Sequence, residues 1–112
     1  MKKCEQQEIN FQVEDFVRSI GRGDIIETGI MEERLRKCAA TVKVYMHKDT
    51  GVIVFLLCSF GTIVAAFDTD NRVCYDFLRY VYGYTARSAE HIRKFKSDYC
   101  DYKTKTMMWR EV

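Results

Sequence analysis

Residues 52–67 decide the fold, and they read VIVFLLC (52–58), SFG (59–61) and TIVAAF (62–67). Two apolar runs of strand length are separated by a short break that contains Gly, which is the pattern of consecutive strands joined by a tight turn. Because the first run is apolar at every position, it suits a central strand that is covered on both faces or on one deep face. The stretch therefore predicts two neighbouring strands in the middle of a sheet.

Further strands are predicted on both sides of this stretch. Residues 40–46 are rich in β-branched and aromatic side chains and are followed by a turn cluster that ends in Gly51. Residues 73–82 carry alternating aromatics and favour another strand, although 75–81 also fits a helical turn. The tail, 103–112, alternates polar and apolar residues and fits a last edge strand.

Two amphipathic helices are predicted to cover the sheet. Near the N-terminus, Ile9, Val13, Phe16 and Ile20 recur at helical spacing. Near the C-terminus, a second helix is expected to begin at Thr85 or Ser88 as N-cap. Its apolar positions are Ala89, Ile92, Phe95 and Tyr99.

Between the first helix and the strands, residues 24–38 are ambiguous. Glu32, Glu33, Arg36 and Lys37 form i,i+4 pairs and favour a short helix at residues 31–38. Taken together, the chain is predicted to be one α+β domain over residues 1–112. Its antiparallel sheet is expected to be a meander of three to five strands, with an N-terminal helix and a C-terminal helix packed on it.

Composition and charge exclude several classes of protein. The 112 residues carry a formal net charge of +2. This balance excludes a polybasic binding protein, and it equally excludes an acidic mimic of nucleic acid. The longest apolar run is far shorter than the roughly 20 residues of a membrane helix, so no membrane association is expected. The five cysteines are odd in number and the N-terminus lacks an apolar leader, which predicts reduced thiols and a cytoplasmic location.

The sequence offers few candidates for catalysis or metal binding. A zinc site would require Cys58 and Cys74 to meet across neighbouring strands. No pair of cysteines has the C-x₂₋₄-C spacing that is typical of such sites, so we expect neither a metal nor a cofactor. His91 lies in the first turns of the C-terminal helix, where the helix dipole favours a neutral imidazole. The simpler interpretation is that His91 donates to a loop carbonyl and fixes the start of that helix. We therefore expect no catalytic residues and no enzymatic activity.

One constellation of residues favours a macromolecular surface. Tyr75, Tyr80 and the residues after them combine aromatic rings with cations, as modules that bind single-stranded nucleic acid do. Tyr and Arg also anchor protein interfaces, so both partner classes stay open. The candidate partner-binding residues are Tyr82, Tyr84, Arg87, Arg93, Lys94 and Lys96.

Two segments carry a resemblance to a group of known proteins. They are SFGTIVA (59–65) and YGYTARSAEHIRKF (82–95). They resemble small proteins of phages and mobile elements of Gram-positive bacteria, which often read Ser-Tyr-x-Thr-x-Val-Ala and then Tyr-Tyr-Ser-x-Thr-Thr-Ser-x-His-Ile-x-x-Phe. This chain departs from that pattern at Phe60, where Tyr is usual, and at Arg87, where Thr is usual.

The resemblance implies an accessory protein of a phage or mobile element in a bacterial host cell. Such proteins commonly bind host machinery stoichiometrically, and inhibitors of CRISPR effector nucleases (anti-CRISPR proteins) are one class of this size. The expected partner is thus a host protein or a nucleoprotein such as a CRISPR effector complex. The alternatives are a single-stranded nucleic-acid-binding module that uses the Tyr and Arg surface, and a small enzyme that uses a cysteine or His91. An exposed edge strand also allows a homodimer.

Overall fold

The computed structural model describes residues 5–21, 25–35, 40–47, 51–82, 86–101 and 110–111, and the account below concerns these residues. Six strands form one sheet whose spatial order follows the chain. In chain order the elements are α1 (Gln6–Gly21), β1 (Ile25–Arg34), β2 (Ala40–His47), β3 (Ile53–Ser59), β4 (Thr62–Asp68), β5 (Val73–Asp76), a 3₁₀ turn (Leu78–Tyr80), α2 (Ala86–Phe95), a π-helical turn (Lys96–Asp101) and β6 (Arg110–Glu111).

Strands β1 to β5 form an antiparallel meander, which confirms the predicted α+β class with a helix from each end of the chain. The two apolar runs of residues 52–67 are β3 and β4, at the centre of the sheet. Of the edge strand predicted in the tail, residues 103–109 and 112 lie outside the described residues, and Arg110–Glu111 form β6, which pairs parallel with β5. The described part of the tail therefore joins the sheet at the edge formed by β5.

The two helices pack on opposite faces of the sheet and create two cores. Because side chains alternate along a strand, Leu56 of β3 faces α1 whereas Leu57 faces α2. A bulge places both Val64 and Ala65 opposite Leu57, and both join the core under α2. The α1-side core contains Ile9, Val13, Val17, Tyr45, Val54, Leu56, Cys58, Ile63, Ala66, Phe77 and Val81. The α2-side core contains Leu35, Ala40, Val42, Leu57, Val64, Ala65, Phe67, Cys74, Ile92, Phe95, Tyr99 and Cys100.

Two predictions of local structure are wrong. Of the helix expected at residues 31–38, residues 31–34 instead belong to β1 and pair with residues 41–44 of β2, and residues 36–38 lie outside the described residues. The pairing of backbone groups across the sheet outweighs i,i+4 ion pairs of a few tenths of a kcal/mol. The aromatic strand expected at residues 73–82 stops at Asp76, whose carboxylate accepts a hydrogen bond from the Leu78 amide at 2.9 Å. The alternative of a helical turn within residues 75–81 is the one formed, as the 3₁₀ turn at Leu78–Tyr80.

The helix α2 begins at Ala86, so Ser88 lies inside its first turn and is not the N-cap. The other predicted cap, Thr85, lies outside the described residues. Among the residues that the structure describes, neither helix is long and apolar enough to cross a membrane.

Candidate functional site

The turn between β3 and β4 has an unusual residue at its tip. Ser59 pairs with Thr62, and the two residues between them have positive φ, at 52° for Phe60 and 81° for Gly61. This is the conformation of a type I′ hairpin turn, which normally takes Asn or Gly at the first position. The Phe60 side chain is nevertheless 56% exposed. A large apolar side chain is thus held in water on a strained backbone.

Helix α1 fixes this turn from one side of the sheet. The Asn10 side chain donates from Nδ2 to the carbonyl of Gly61 at 3.2 Å, and its Oδ1 accepts the amide of Ile63 at 2.7 Å. One amide group thereby satisfies a donor and an acceptor of the turn. The position of Phe60 is consequently set by both the hairpin and α1.

A buried polar cluster joins the same turn to α2 on the other side of the sheet. The Ser59 hydroxyl lies 2.8 Å from Nδ1 of His91 and 3.0 Å from the Ser88 hydroxyl. All three side chains are buried. The His91 ring also lies beside the Phe60 ring, with 5.5 Å between the ring centroids. His91 therefore anchors α2 to the hairpin, but it lies in the middle of the helix and not at its start, and its partner is a strand hydroxyl and not the expected loop carbonyl.

Charges on α2 surround the imidazole. Burial lowers the pKa of His91 below its usual value of 6.5, and the nearby cations of Lys94 and Arg87 lower it further, while Glu90 acts in the opposite direction. The imidazole is consequently neutral at pH 7. The same interactions show that Arg87 and Lys94 lie on the side of α2 that borders His91.

The predicted partner-binding residues of α2 divide between two sides of that helix. At about 100° per residue, Arg87 and Lys94 lie on one flank of the buried stripe, whereas Arg93 lies on the other, and Lys96 begins the π-helical turn that follows α2. Arg87 and Arg93 are exposed, and Lys94 and Lys96 are half-buried. The structure therefore does not gather the four cations into one patch.

The predicted tyrosines divide as well. Tyr82 is 48% exposed and follows Val81, which packs in the α1-side core. Tyr84 lies outside the described residues. Tyr75 and Tyr80 are half-buried against the α1-side core, and the Tyr75 ring centroid lies 4.9 Å from that of Phe16. Tyr75 and Tyr80 are consequently on the other side of the sheet from the cations of α2.

We name the surface formed by Phe60, Arg87 and Lys94, which all border His91, the turn surface. The segment that carries Tyr82 leaves β5 beside the start of β4, because the Phe77 amide donates to the Val64 carbonyl at 2.9 Å. That segment, the β3–β4 turn and the first turn of α2 therefore lie at the same end of the sheet. Sequence reasoning missed Phe60, although an aromatic residue directly before the Gly of a predicted turn is a signal that could have identified it.

The cysteines do not meet as the zinc hypothesis required. Cys58 of β3 belongs to the α1-side core and Cys74 of β5 to the α2-side core, with β4 between the two strands. Cys74 instead is hydrogen-bonded to the side chain of Cys100, and this contact, together with burial, raises the pKa of the Cys100 thiol. Within the described ranges, no group of three or more His, Cys, Asp or Glu side chains is arranged to hold a metal ion.

Comparison with known proteins adds no relative. No protein-family model, curated protein or solved structure matches this chain.

Proposed function

We propose that this protein is a non-enzymatic accessory protein of a phage or mobile element that binds a host protein or nucleoprotein stoichiometrically through the turn surface. The observation that carries the proposal is Phe60. The resemblance of residues 59–65 and 82–95 to phage proteins supports the genomic setting. It also makes a CRISPR effector nuclease the first target to test.

Phe60 supports binding because a large apolar ring is held partly in water on a left-handed backbone. This backbone conformation costs about 1–2 kcal/mol at a residue other than Gly, and it leaves 56% of the Phe60 side chain exposed. Strain of this kind clusters at functional sites. The Phe60 ring and the Arg87 guanidinium, which both border His91, are residue types that dominate protein interfaces.

The buried cluster of Ser59, Ser88 and His91 supports a role without catalysis. A serine nucleophile activated by histidine must reach its substrate. Ser59 has no exposed surface, and Ser88 and His91 enclose it together with the strand end. The three side chains hold α2 against the hairpin and so shape the turn surface.

A protein partner is favoured over single-stranded nucleic acid by the placement of the aromatics. Nucleic-acid modules stack successive bases on several rings beside a cationic groove. Here Tyr75 and Tyr80 pack toward α1, and Glu90 lies between Arg87 and Lys94 on α2. A partner with an apolar pocket rimmed by carboxylates would complement Phe60 and Arg87.

The test combines capture from host lysate, with and without nuclease treatment, with size-exclusion chromatography against purified CRISPR effector complexes. We expect a complex of defined stoichiometry that survives nuclease and is weakened at least tenfold by Phe60→Asn. The matched control is Arg72→Gly. Among the described residues, Arg72 and Phe60 are the two non-glycine residues with positive φ, and Arg72 lies at the opposite end of the sheet. This control should bind like the natural protein.

Two results would overturn the proposal. One is a complex that Phe60→Asn and Arg87→Glu leave unchanged, since binding would then use another surface. The other is binding to labelled single-stranded RNA or DNA without protein, weakening by about one unit of log K per engaged phosphate for each decade of salt. The elution volume of the protein alone reports whether it forms a homodimer.

A further inference from the structure

We propose that Cys74 and Cys100 are an intramolecular oxidation site, at which a peroxide converts the two thiols into a disulfide that links β5 to the helical segment after α2. The proposal is independent of the turn surface. It rests on the contact between the two side chains and on the way that the chain brings them together.

The two thiols are in contact although they are 26 positions apart in the sequence. Their side chains are hydrogen-bonded, and both residues are fully buried in the α2-side core. Cys58, the third described cysteine, packs on the opposite face of the sheet. Among the described cysteines, Cys74 and Cys100 are therefore the pair that the fold preassembles.

The π-helical turn is what directs Cys100 into the core. In a regular α-helix, Phe95 and Tyr99 share a face, and the next residue points about 100° away. The wider turn at Lys96–Asp101 allows both Tyr99 and Cys100 to be buried. Such π-helical turns occur frequently at functional positions.

The chemistry balances with one equivalent of hydrogen peroxide. A thiolate attacks peroxide to give a sulfenic acid and hydroxide, and the second thiol then displaces the sulfenic oxygen as water. In total, two S–H bonds are lost, one S–S bond forms, and peroxide accepts two electrons and two protons to become two waters. Because burial and the contact with Cys74 raise the pKa of the Cys100 thiol, the first step needs the segment after α2 to open, and closure brings the second thiol to the sulfenic acid.

Peptide mapping tests this directly, because trypsin places each of the five cysteines on a separate peptide. The reduced full-length protein is treated with hydrogen peroxide, the remaining thiols are alkylated, and the protein is digested without reductant. We expect a linked species of residues 73–79 and 97–103 as the main disulfide, lost on reduction. Cys58→Ser should retain it, and Cys74→Ser and Cys100→Ser should each abolish it.

A denatured sample supplies the reference, since oxidation in guanidinium should distribute disulfides among the cysteines. Enrichment of the 73–79/97–103 species in the folded protein, at least tenfold over the denatured sample, supports the site. The proposal is overturned if Cys74 or Cys100 pairs mainly with another cysteine. Recovery of both as free thiols or as sulfonic acids, after peroxide has oxidised other cysteines, also overturns it.

Discussion

The hydroxyl of Ser59 lies 2.8 Å from Nδ1 of His91 and joins the last residue of β3 to the middle of α2. Ser59→Ala would leave a buried imidazole nitrogen without this partner. We expect the free energy of unfolding to fall by about 1–3 kcal/mol, which is the cost of an unsatisfied buried polar group. Denaturant titration measures it, with Ser97→Ala as the control because Ser97 is exposed on the π-helical turn. Equal stability of the two variants would contradict the role given to Ser59.

Acidification should destabilise the protein through His91. Its pKa is lowered on folding, so between the folded value and 6.5 the unfolded chain binds more protons than the folded chain. The contribution of His91 to the free energy of unfolding is consequently fully present above about pH 6.5, and it is lost as the pH falls toward and through the folded pKa. We expect the melting temperature of the natural protein to decrease more steeply from pH 7.5 to pH 5 than that of His91→Gln. Parallel profiles would show that His91 does not carry this dependence.

The left-handed turn predicts two substitutions of opposite sign. Phe60→Asn should raise the free energy of unfolding by up to about 1 kcal/mol, because Asn tolerates positive φ and this gain exceeds the loss of the half-buried ring surface. Gly61→Ala should lower it by about 1 kcal/mol. A Cβ at Gly61 meets no atom within 4 Å, so the backbone conformation alone sets that cost. Stabilisation by Gly61→Ala, or destabilisation by Phe60→Asn, would contradict a type I′ turn.

The turn between β4 and β5 depends on Asp68. Its buried carboxylate accepts hydrogen bonds from the amides of Asp70 and Asn71 and from the Asn71 side chain, at 2.9, 3.2 and 2.8 Å. Asp68→Ala removes all three, and we expect a loss of about 2–3 kcal/mol in the free energy of unfolding. Asp70→Ala is the control, because the Asp70 side chain is exposed. Surface substitutions typically change the free energy of unfolding by no more than about 0.5 kcal/mol. A change within that range for both variants would contradict the role given to Asp68.

Predictions from the sequence succeeded where local signals agreed with the tertiary structure. The apolar runs of residues 52–67 and the break at Ser59–Gly61 predicted β3, β4 and their turn, because burial on both faces leaves no polar position in a central strand. β1 was mistaken for a helix at residues 31–34, since charge spacing is a local signal and pairing with β2 is not. Local propensity was overridden there by the sheet.

The site was predictable only in part. His91 was recognised as a residue that fixes α2, but its bond to Ser59 spans 32 positions, and nothing in the local sequence selects that partner. The cations of α2 were treated as one patch because the sequence lists them together, whereas the helical rotation separates Arg87 from Arg93. Tyr75 and Tyr80 precede the candidate binding residues in the sequence, yet both pack against the α1-side core.

The meander also bears on how the chain folds. Each strand from β1 to β5 pairs with its immediate neighbour in sequence, so the sheet can grow by one hairpin at a time as the chain leaves the ribosome. Contacts of this kind have low contact order and close only short loops, which favours rapid folding. The exception is α1, whose Asn10 contacts lie more than 50 positions away, at Gly61 and Ile63. The first helix to be synthesised must therefore wait for the β3–β4 hairpin before it can dock.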